Sequence, residues 1–235
     1  MRRFADMLHT DLTQLDNPLW HALTGAQQAF AIGSSHAKRY RPDILPFTAY
    51  DHDRPEKITD LDDLLKKEEV FFIIGKLPSL PAHWEIIREL PCAQMILESP
   101  IAPVPGAIAI TSLTRDDRDV MLELIHRVQP GYYNPDTHLL GDYFGVREEG
   151  KLVAIAGERI RLENMVEISA VCTDPACTGR GYAQQLITHI AGNNQQKGKD
   201  LFLHVLTTNQ RAIRIYEHLG FRQRRVISFW KLIRR

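Results

Sequence analysis

Cysteine is scarce in this chain: Cys92, Cys172 and Cys177 are the three among 235 residues. An odd and sparse set builds no disulfide framework and points to a reducing, cytoplasmic compartment. Charge of one sign is lacking too, since 29 Lys+Arg balance 29 Asp+Glu for a formal net charge of +0. That balance removes any whole-protein field for nucleic acid or an anionic membrane. No apolar run approaches the roughly 20 residues of a bilayer span, and the charged start Met1–Leu12 lacks the apolar core of a signal peptide. No internal period of roughly 20–50 residues is visible, which excludes a solenoid or a propeller. Cys172 and Cys177 have neither Cys-x-x-Cys spacing nor a neighbouring histidine, so no metal site is expected and they read as packing residues. With 44% hydrophobic residues there is enough to bury a sizeable core, and a soluble globular protein is expected.

The prolines punctuate the chain unevenly. Ser99-Pro100-Ile101-Ala102-Pro103-Val104-Pro105-Gly106 holds three of them in six positions. Each removes a backbone donor and biases the residue before it toward extended geometry, so residues 100–106 read as a linker between a unit at 1–99 and one at 107–235. In the first unit, apolar spacing predicts helices from Asn17 or Pro18 to about Ile32, over Asp60–Lys67 and over Ala82–Leu90, with strands at Val70–Ile74 and Gln94–Leu97. The result is a small α/β unit without a motif tied to chemistry.

The second unit is better marked. Thr114 before Arg115-Asp116-Asp117 caps a helix running to about Val128. Tyr143–Arg147 and Leu152–Ala156, joined through Gly150, predict a hairpin. Then follow a strand at Val166–Thr173, a helix at Gly181–Ala191, a strand at Leu201–Leu206, a helix at Gln210–Leu219 and a strand at Val226–Leu232. This order implies a mixed sheet covered by helices, an α+β arrangement of the α/β class.

Between the strand ending at Thr173 and the next helix lies Thr178-Gly179-Arg180-Gly181-Tyr182-Ala183-Gln184. A glycine turn at a helix N-terminus offers backbone N–H groups to an anion and lets a phosphorylated ligand approach the main chain closely. Such a turn is also an ordinary way to join a strand to a helix. A dinucleotide fingerprint fails, because position 184 is Gln and Asp200 precedes its strand instead of ending it. A triphosphate loop fails because Gly-Lys-Ser/Thr occurs nowhere.

Three ordered pieces resemble the GNAT superfamily of acyl-CoA-dependent N-acyltransferases over about residues 107–235. They are the strand Val166–Thr173 followed by Pro175, the turn Thr178–Ala183 against Arg/Gln-x-x-Gly-x-Gly/Ala, and Asn209–Phe221 against Asn-x-x-Ala-x-x-x-Tyr-x-x-x-Gly-Phe. Thr178 departs from the family's Arg or Gln, which removes that side-chain contact and leaves the backbone cradle. The resemblance implies a GNAT fold with acetyl-CoA or another acyl-CoA as co-substrate and no metal. Main-chain groups of Val171, Cys172 and Thr173 would hold the pantetheine arm, Gly179, Arg180, Gly181, Tyr182, Ala183 and Gln184 the pyrophosphate, and Asn209 would reach the ligand from the following helix. Two-part members of the superfamily imply that the N-terminal half is a degenerate GNAT-like domain lining the acceptor pocket.

Direct transfer from a thioester to an amine needs a proton acceptor, donors for the developing oxyanion, and a partner for the departing thiolate. Tyr216 matches the family tyrosine that serves the sulfur. A phenol is a weaker acid than a thiol by roughly 2 kcal/mol, so hydrogen bonding to the nascent thiolate precedes protonation. Spacing alone also fits Tyr216 as a core aromatic. For the base there are two candidates, Glu167 on the strand and His204 inside Leu201–Leu206, histidine being the side chain that ordinarily changes charge near neutrality. Each reads equally as a hydrogen-bonded interior group. The expected reaction is N-acetylation of a small primary amine or amino acid, with no nucleic acid or membrane partner and an open oligomeric state compatible with a homodimer. The alternatives are a non-catalytic acyl-CoA-binding regulator and an interaction module whose turn binds no phosphate.

Overall fold

The computed structural model describes residues 11–102, 104, 106 and 108–235. The charged start at residues 1–10, Pro103 and Pro105 therefore lie outside the described residues. The chain begins with a short helix α1 (Pro18–Thr24) and strands β1 (Ala31–Gly33), β2 (Ala37–Tyr40) and β3 (Phe47–Tyr50). Pro18 sits in the first helical turn, where a missing N–H is harmless. The helix expected to reach Ile32 stops at Thr24 because buried Gln27 is drawn elsewhere. Its amide donates to the Leu140 and Arg159 carbonyls and accepts from the Tyr40 hydroxyl, which a continuing helix would not permit. A 3-10 segment over Pro55–Leu64 stands where a helix over Asp60–Lys67 is expected.

Strand β4 (Val70–Ile74) lies where the apolar run places it. The helix expected at Ala82–Leu90 is instead the first half of β5 (Trp84–Leu97), a single strand that also absorbs Gln94–Leu97. Next come β6 (Ile110–Leu113) and α2 (Arg118–Val128), the latter preceded by a capping box in which the Thr114 hydroxyl accepts from Asp116 N at 3.3 Å and the Asp117 carboxylate accepts from Thr114 N at 2.9 Å. The hairpin is β7 (Tyr143–Glu148) and β8 (Lys151–Arg161). Then follow β9 (Met165–Thr173), α3 (Tyr182–Gln196), β10 (Asp200–Leu206), α4 (Gln210–His218) and β11 (Phe221–Arg234).

All strands join one mixed sheet in the order β1-β2-β3-β4-β11-β5-β10-β9-β8-β7-β6. The two halves flanking the proline-rich segment therefore share a sheet. Each half contributes an antiparallel run closed by one parallel pair, β3 with β4 and β9 with β10. Each then gives its long last strand to the other: β5 pairs β10, and β11 pairs β4. The two long strands pair with one another at the centre. Of the linker, Ile101 and Val104 pack on the core beneath α3 and α4, and Gln185 Nε2 donates to Gly106 O at 2.7 Å.

The feature that positions the site is the failure of β9 and β10 to stay together. Their parallel ladder runs from Met165/Asp200 only to Glu167/Phe202. Beyond it β10 continues along β5 to Leu206 opposite Cys92, while β9 continues along β8 to Thr173 opposite Ala154. A bulge in β9 opens the gap, for Ser169 pairs Gly157 while Cys172 pairs Ile155, and Ala170 between them has φ +51°. A positive φ at a non-glycine residue is held by its surroundings at a cost of about 1–2 kcal/mol.

Candidate active site

The opening between β9 and β10 is the throat of a cavity of about 630 Å³ that reaches both faces of the sheet. Along β10, Leu201, Leu203 and Val205 join the core under α3 and α4, while Phe202 joins the opposite core with Leu90, Cys92 and Phe229. The cavity's outer end is walled by the turn from Thr178 to Gln184 and by α4. Its inner end is walled by Leu90, Cys92, Tyr132, Arg159, His204 and Phe229.

At the outer end Gly179 and Gly181 have φ of +82° and +78°, and Gly181 caps α3 in the left-handed conformation. A Cβ on Gly179 would meet no atom of the described residues within 4 Å, so among them its backbone faces open space. No acidic residue occupies the first turn of α3, which leaves the positive end of a 15-residue helix unopposed. Arg180 and Tyr182 are held from behind: Arg180 Nη1 lies 2.6 Å from Glu148 Oε1, and the Tyr182 hydroxyl donates to the same carboxylate. What both residues offer a ligand is therefore chiefly backbone. These features fit a pyrophosphate, and Arg211 on the same wall fits further phosphate. Thr178 lies on the wall with its hydroxyl donating to Pro175 O at 3.3 Å.

Val171 and Thr173 line the throat. The Cys172 side chain is turned to the other face by the bulge: it is 2% exposed and packs with the core cluster of α2, so what Cys172 can offer the throat is its main chain. Asn209 lines the cavity, yet its Oδ1 accepts from Ala212 N at 3.1 Å as the cap of α4, so capping is its direct task.

Tyr216 is 9% exposed and lies on the cavity wall, edge-on to Phe221 with ring centroids 6.1 Å apart. Its hydroxyl bonds none of the described residues. Burial, with the nearby Cys172 thiol in second place, pushes the phenol well above its ordinary range, so it is held protonated.

Glu167 departs from the expectation of a base facing the thioester. It is fully buried and does not line the cavity. Arg159 Nε donates to its Oε2 at 2.8 Å and Nη2 to its Oε1 at 2.6 Å, and His204 Nδ1 lies 2.7 Å from Oε1. Burial favours the neutral acid, but the Arg159 charge and the hydrogen bonds from Arg159 and His204 outweigh it and bring the carboxyl down to about 2. His204 does border the cavity, with both ring nitrogens engaged, since Nε2 lies 3.1 Å from Gln94 Nε2. Gln94 donates its other amide hydrogen to Leu15 O at 2.8 Å and accepts from Arg224 Nη1 at 2.9 Å. An amide donor toward Nε2 fixes the proton of neutral His204 on Nδ1, facing Glu167.

Sequence reasoning missed Arg159, Gln94 and Glu148. The available signal was Glu158-Arg159, a charged pair inside an otherwise apolar strand, since such residues are interior only when partnered.

The family model of FR47-like proteins matches residues 143–230, the span from the hairpin to the closing strand. A crystal structure from Novosphingobium aromaticivorans, assigned as an acetyltransferase of the GNAT family, is 34% identical, with 94% of this chain and 98% of that one covered at a TM-score of 0.86. This chain belongs to the GNAT family. It is a GNAT-type, acyl-CoA-dependent acetyltransferase with that family's mixed α/β fold. A GCN5-related N-acetyltransferase from Kribbella flavida shares the fold, at a TM-score of 0.61 and 12% identity over 89% of this chain and 92% of its own. N-alpha-acetyltransferase 60 of Xenopus tropicalis is 43% identical over 51 residues, which are 22% of this GNAT chain and 21% of that curated relative. Among the described residues no helix is long and apolar enough to cross a membrane, and no group of side chains has metal-binding geometry.

Proposed function

We propose that this enzyme transfers an acyl group, acetyl in the simplest case, directly from acyl-CoA to the amine of a small acceptor seated at the inner end of the cavity. The observation that carries the reading is the throat itself. One continuous cavity joins a phosphate-type cradle at the N-terminus of α3 to an inner chamber across the sheet, with the uncommitted Tyr216 hydroxyl on its wall. The outer end orients the phosphates through the backbone of Gly179–Gln184, and the β9 edge at Val171–Thr173 holds the arm in the throat. There the acyl carbonyl would lie across the sheet from the inner chamber.

In the reaction the amine nitrogen bonds the acyl carbon, the carbon–sulfur bond breaks, and the proton lost by the amine balances the thiol formed. Tyr216 donates its hydrogen bond to the sulfur as charge builds there, and its raised pKa keeps the phenol in its donating form. Glu167 is occupied by Arg159, and His204 by Glu167 and Gln94, so both serve as positioning residues for the inner wall. We assign removal of the amine proton to water in the cavity. The N-terminal half supplies Leu90 and Cys92 through β5. Together with the exchange of long strands, this supports its reading as a degenerate GNAT-like copy that lines the acceptor side. Its own parallel pair is bridged by the Thr48 hydroxyl, which donates to Phe72 O at 2.9 Å.

Calorimetry with acetyl-CoA, followed by thiol release across a panel of primary amines, tests the proposal. Binding with turnover of small amines is expected. Binding without turnover of any amine would favour an acyl-CoA-binding regulator, and absence of binding would remove the reading of the turn.

A further inference from the structure

The charged residues bordering the cavity share one sign. Among the described residues Arg159, Arg180 and Arg211 line it, and no aspartate or glutamate does. Arg180 and Arg211 stand at the outer end on the turn and on α4. Arg159 shares the wall of the inner chamber with Leu90, Cys92, Tyr132, His204 and Phe229. A cationic head group entering the chamber would find no carboxylate, while an anionic one would find a guanidinium.

Arg159 is held in place before any ligand arrives. Glu167 takes its Nε and Nη2 through two bonds, and the guanidinium carbon lies 5.2 Å from the Phe47 ring centroid and 5.8 Å from that of Phe229. The residue is 9% exposed, and because it lines the cavity that small exposure is where a ligand would sit. Its Nη1 group bonds none of the described residues. A guanidinium has five donors, and two are consumed by Glu167. The remaining fork is rigid, nine-tenths buried and walled by Tyr132 and Phe229, which is the chemistry that recognises a carboxylate.

Resting on the acyl-transfer reading above, and naming its acceptor class, we infer that the acceptor is an amino carboxylate: an α-amino acid whose carboxylate binds Nη1 of Arg159 and whose apolar remainder packs among Leu90, Tyr132 and Phe229. Arg159 is then the specificity-determining residue of the acceptor site, and the Glu167–His204–Gln94 chain behind it fixes its orientation.

Acid–amide pairs test this without altering a buried ion pair. N-acetylphenylalanine and N-acetylleucine, the products expected from two such acceptors, are titrated into the full chain by calorimetry beside their carboxamides. The acids should bind at least tenfold tighter. Equal affinities, or failure of both acids to bind, would overturn the inference. In parallel, thiol release from acetyl-CoA is compared for phenylalanine and leucine against phenethylamine and isoamylamine, with kcat/KM expected to be at least tenfold higher for the amino acids. Equal rates for the decarboxylated amines would sink the carboxylate site and leave acyl transfer standing. Tight acid binding with no turnover of any amine would do the reverse. Arg159→Lys keeps a charge opposite Glu167 but removes the fork, and should erase most of the acid–amide discrimination, with thermal denaturation checking that the variant is folded.

Discussion

Arg159 on β8 and Glu167 on β9 meet through two hydrogen bonds of 2.8 and 2.6 Å, with Glu167 wholly removed from solvent. Arg159 lines the acceptor chamber while Glu167 sits behind it, and this position separates two roles for Glu167 that the sequence alone leaves open. A base must reach the reacting amine. A buried counter-ion need only hold Arg159.

Replacing Glu167 by Gln should therefore act on stability first. Removing one partner of a buried ion pair strands the other charge and costs about 3–5 kcal/mol, readable by urea denaturation. The pH dependence follows from the lowered carboxyl. Its folded value is about 2 against an ordinary 4.5. The stabilisation is thus complete above the unfolded value and is lost as pH falls from about 4.5 toward about 2. The wild-type chain should lose stability across that window, and Glu167→Gln should lose less. A variant with unchanged stability and a missing acidic limb in its rate profile would restore Glu167 as the base.

Tyr216→Phe should show the opposite pattern. The hydroxyl bonds none of the described residues, so its removal should shift Tm by no more than a degree or two. Loss of a donor to the departing sulfur should lower kcat by about 10²-fold with KM for acyl-CoA little changed. Because burial raises the phenol, the donating form persists through the alkaline range. The wild-type rate should show no alkaline fall attributable to this group below about pH 10. Full turnover by Tyr216→Phe would make the residue a core aromatic and no more.

Much of the second half is legible because its signals are local. Glycines interrupt apolar runs, Thr114 caps the 3-10 turn that leads into α2, and Val166–Thr173 is rich in β-branched residues. The first half misled where pairing overrides local pattern. Trp84, Ile86, Ile87 and Leu90 have helical spacing, yet Glu85–Glu89 are exposed in a strand held by β11 through registered partners from Trp84/Arg234 to Leu97/Phe221. Nothing within residues 82–97 announces a partner strand that far along the chain. The same distance hides the acceptor chamber, whose walls come from β5, β8, β10 and β11 and meet only after the two halves exchange strands. The bulge at Ala170 was invisible too, since alanine carries no sequence preference for φ above zero.

A matched pair of glycine substitutions can isolate the cradle from backbone strain. Gly179 and Gly150 have φ of +82° and +81°, and a Cβ on either meets no atom within 4 Å. Alanine at each should cost a similar ~1–2 kcal/mol of stability. Gly179→Ala places its methyl where the phosphates would approach, and Gly150→Ala places it in solvent at the β7–β8 turn. Calorimetry with CoA should show about tenfold weaker binding for the first and unchanged binding for the second. Equal affinities would mean that the turn does not hold the ligand.

The thiols supply the last check, on the order of chemical events. All three cysteines are buried and free, and Cys92 lines the inner chamber. Burial pushes both Cys92 and Cys172 up to about 12, so near neutral pH the thiolate fraction of each is on the order of one in 10⁴ or less. Neither is an acyl carrier of useful reactivity, and Cys177 is also raised, chiefly by burial. Transfer through a cysteine thioester would release the CoA thiol before the amine binds and give parallel double-reciprocal lines. Direct transfer requires both substrates together and gives intersecting lines. Intersecting lines are expected, along with retention of activity in Cys92→Ala once acceptor KM is allowed to shift. Thiol release in the absence of any amine, with acyl group retained on the protein, would place a cysteine back in the mechanism.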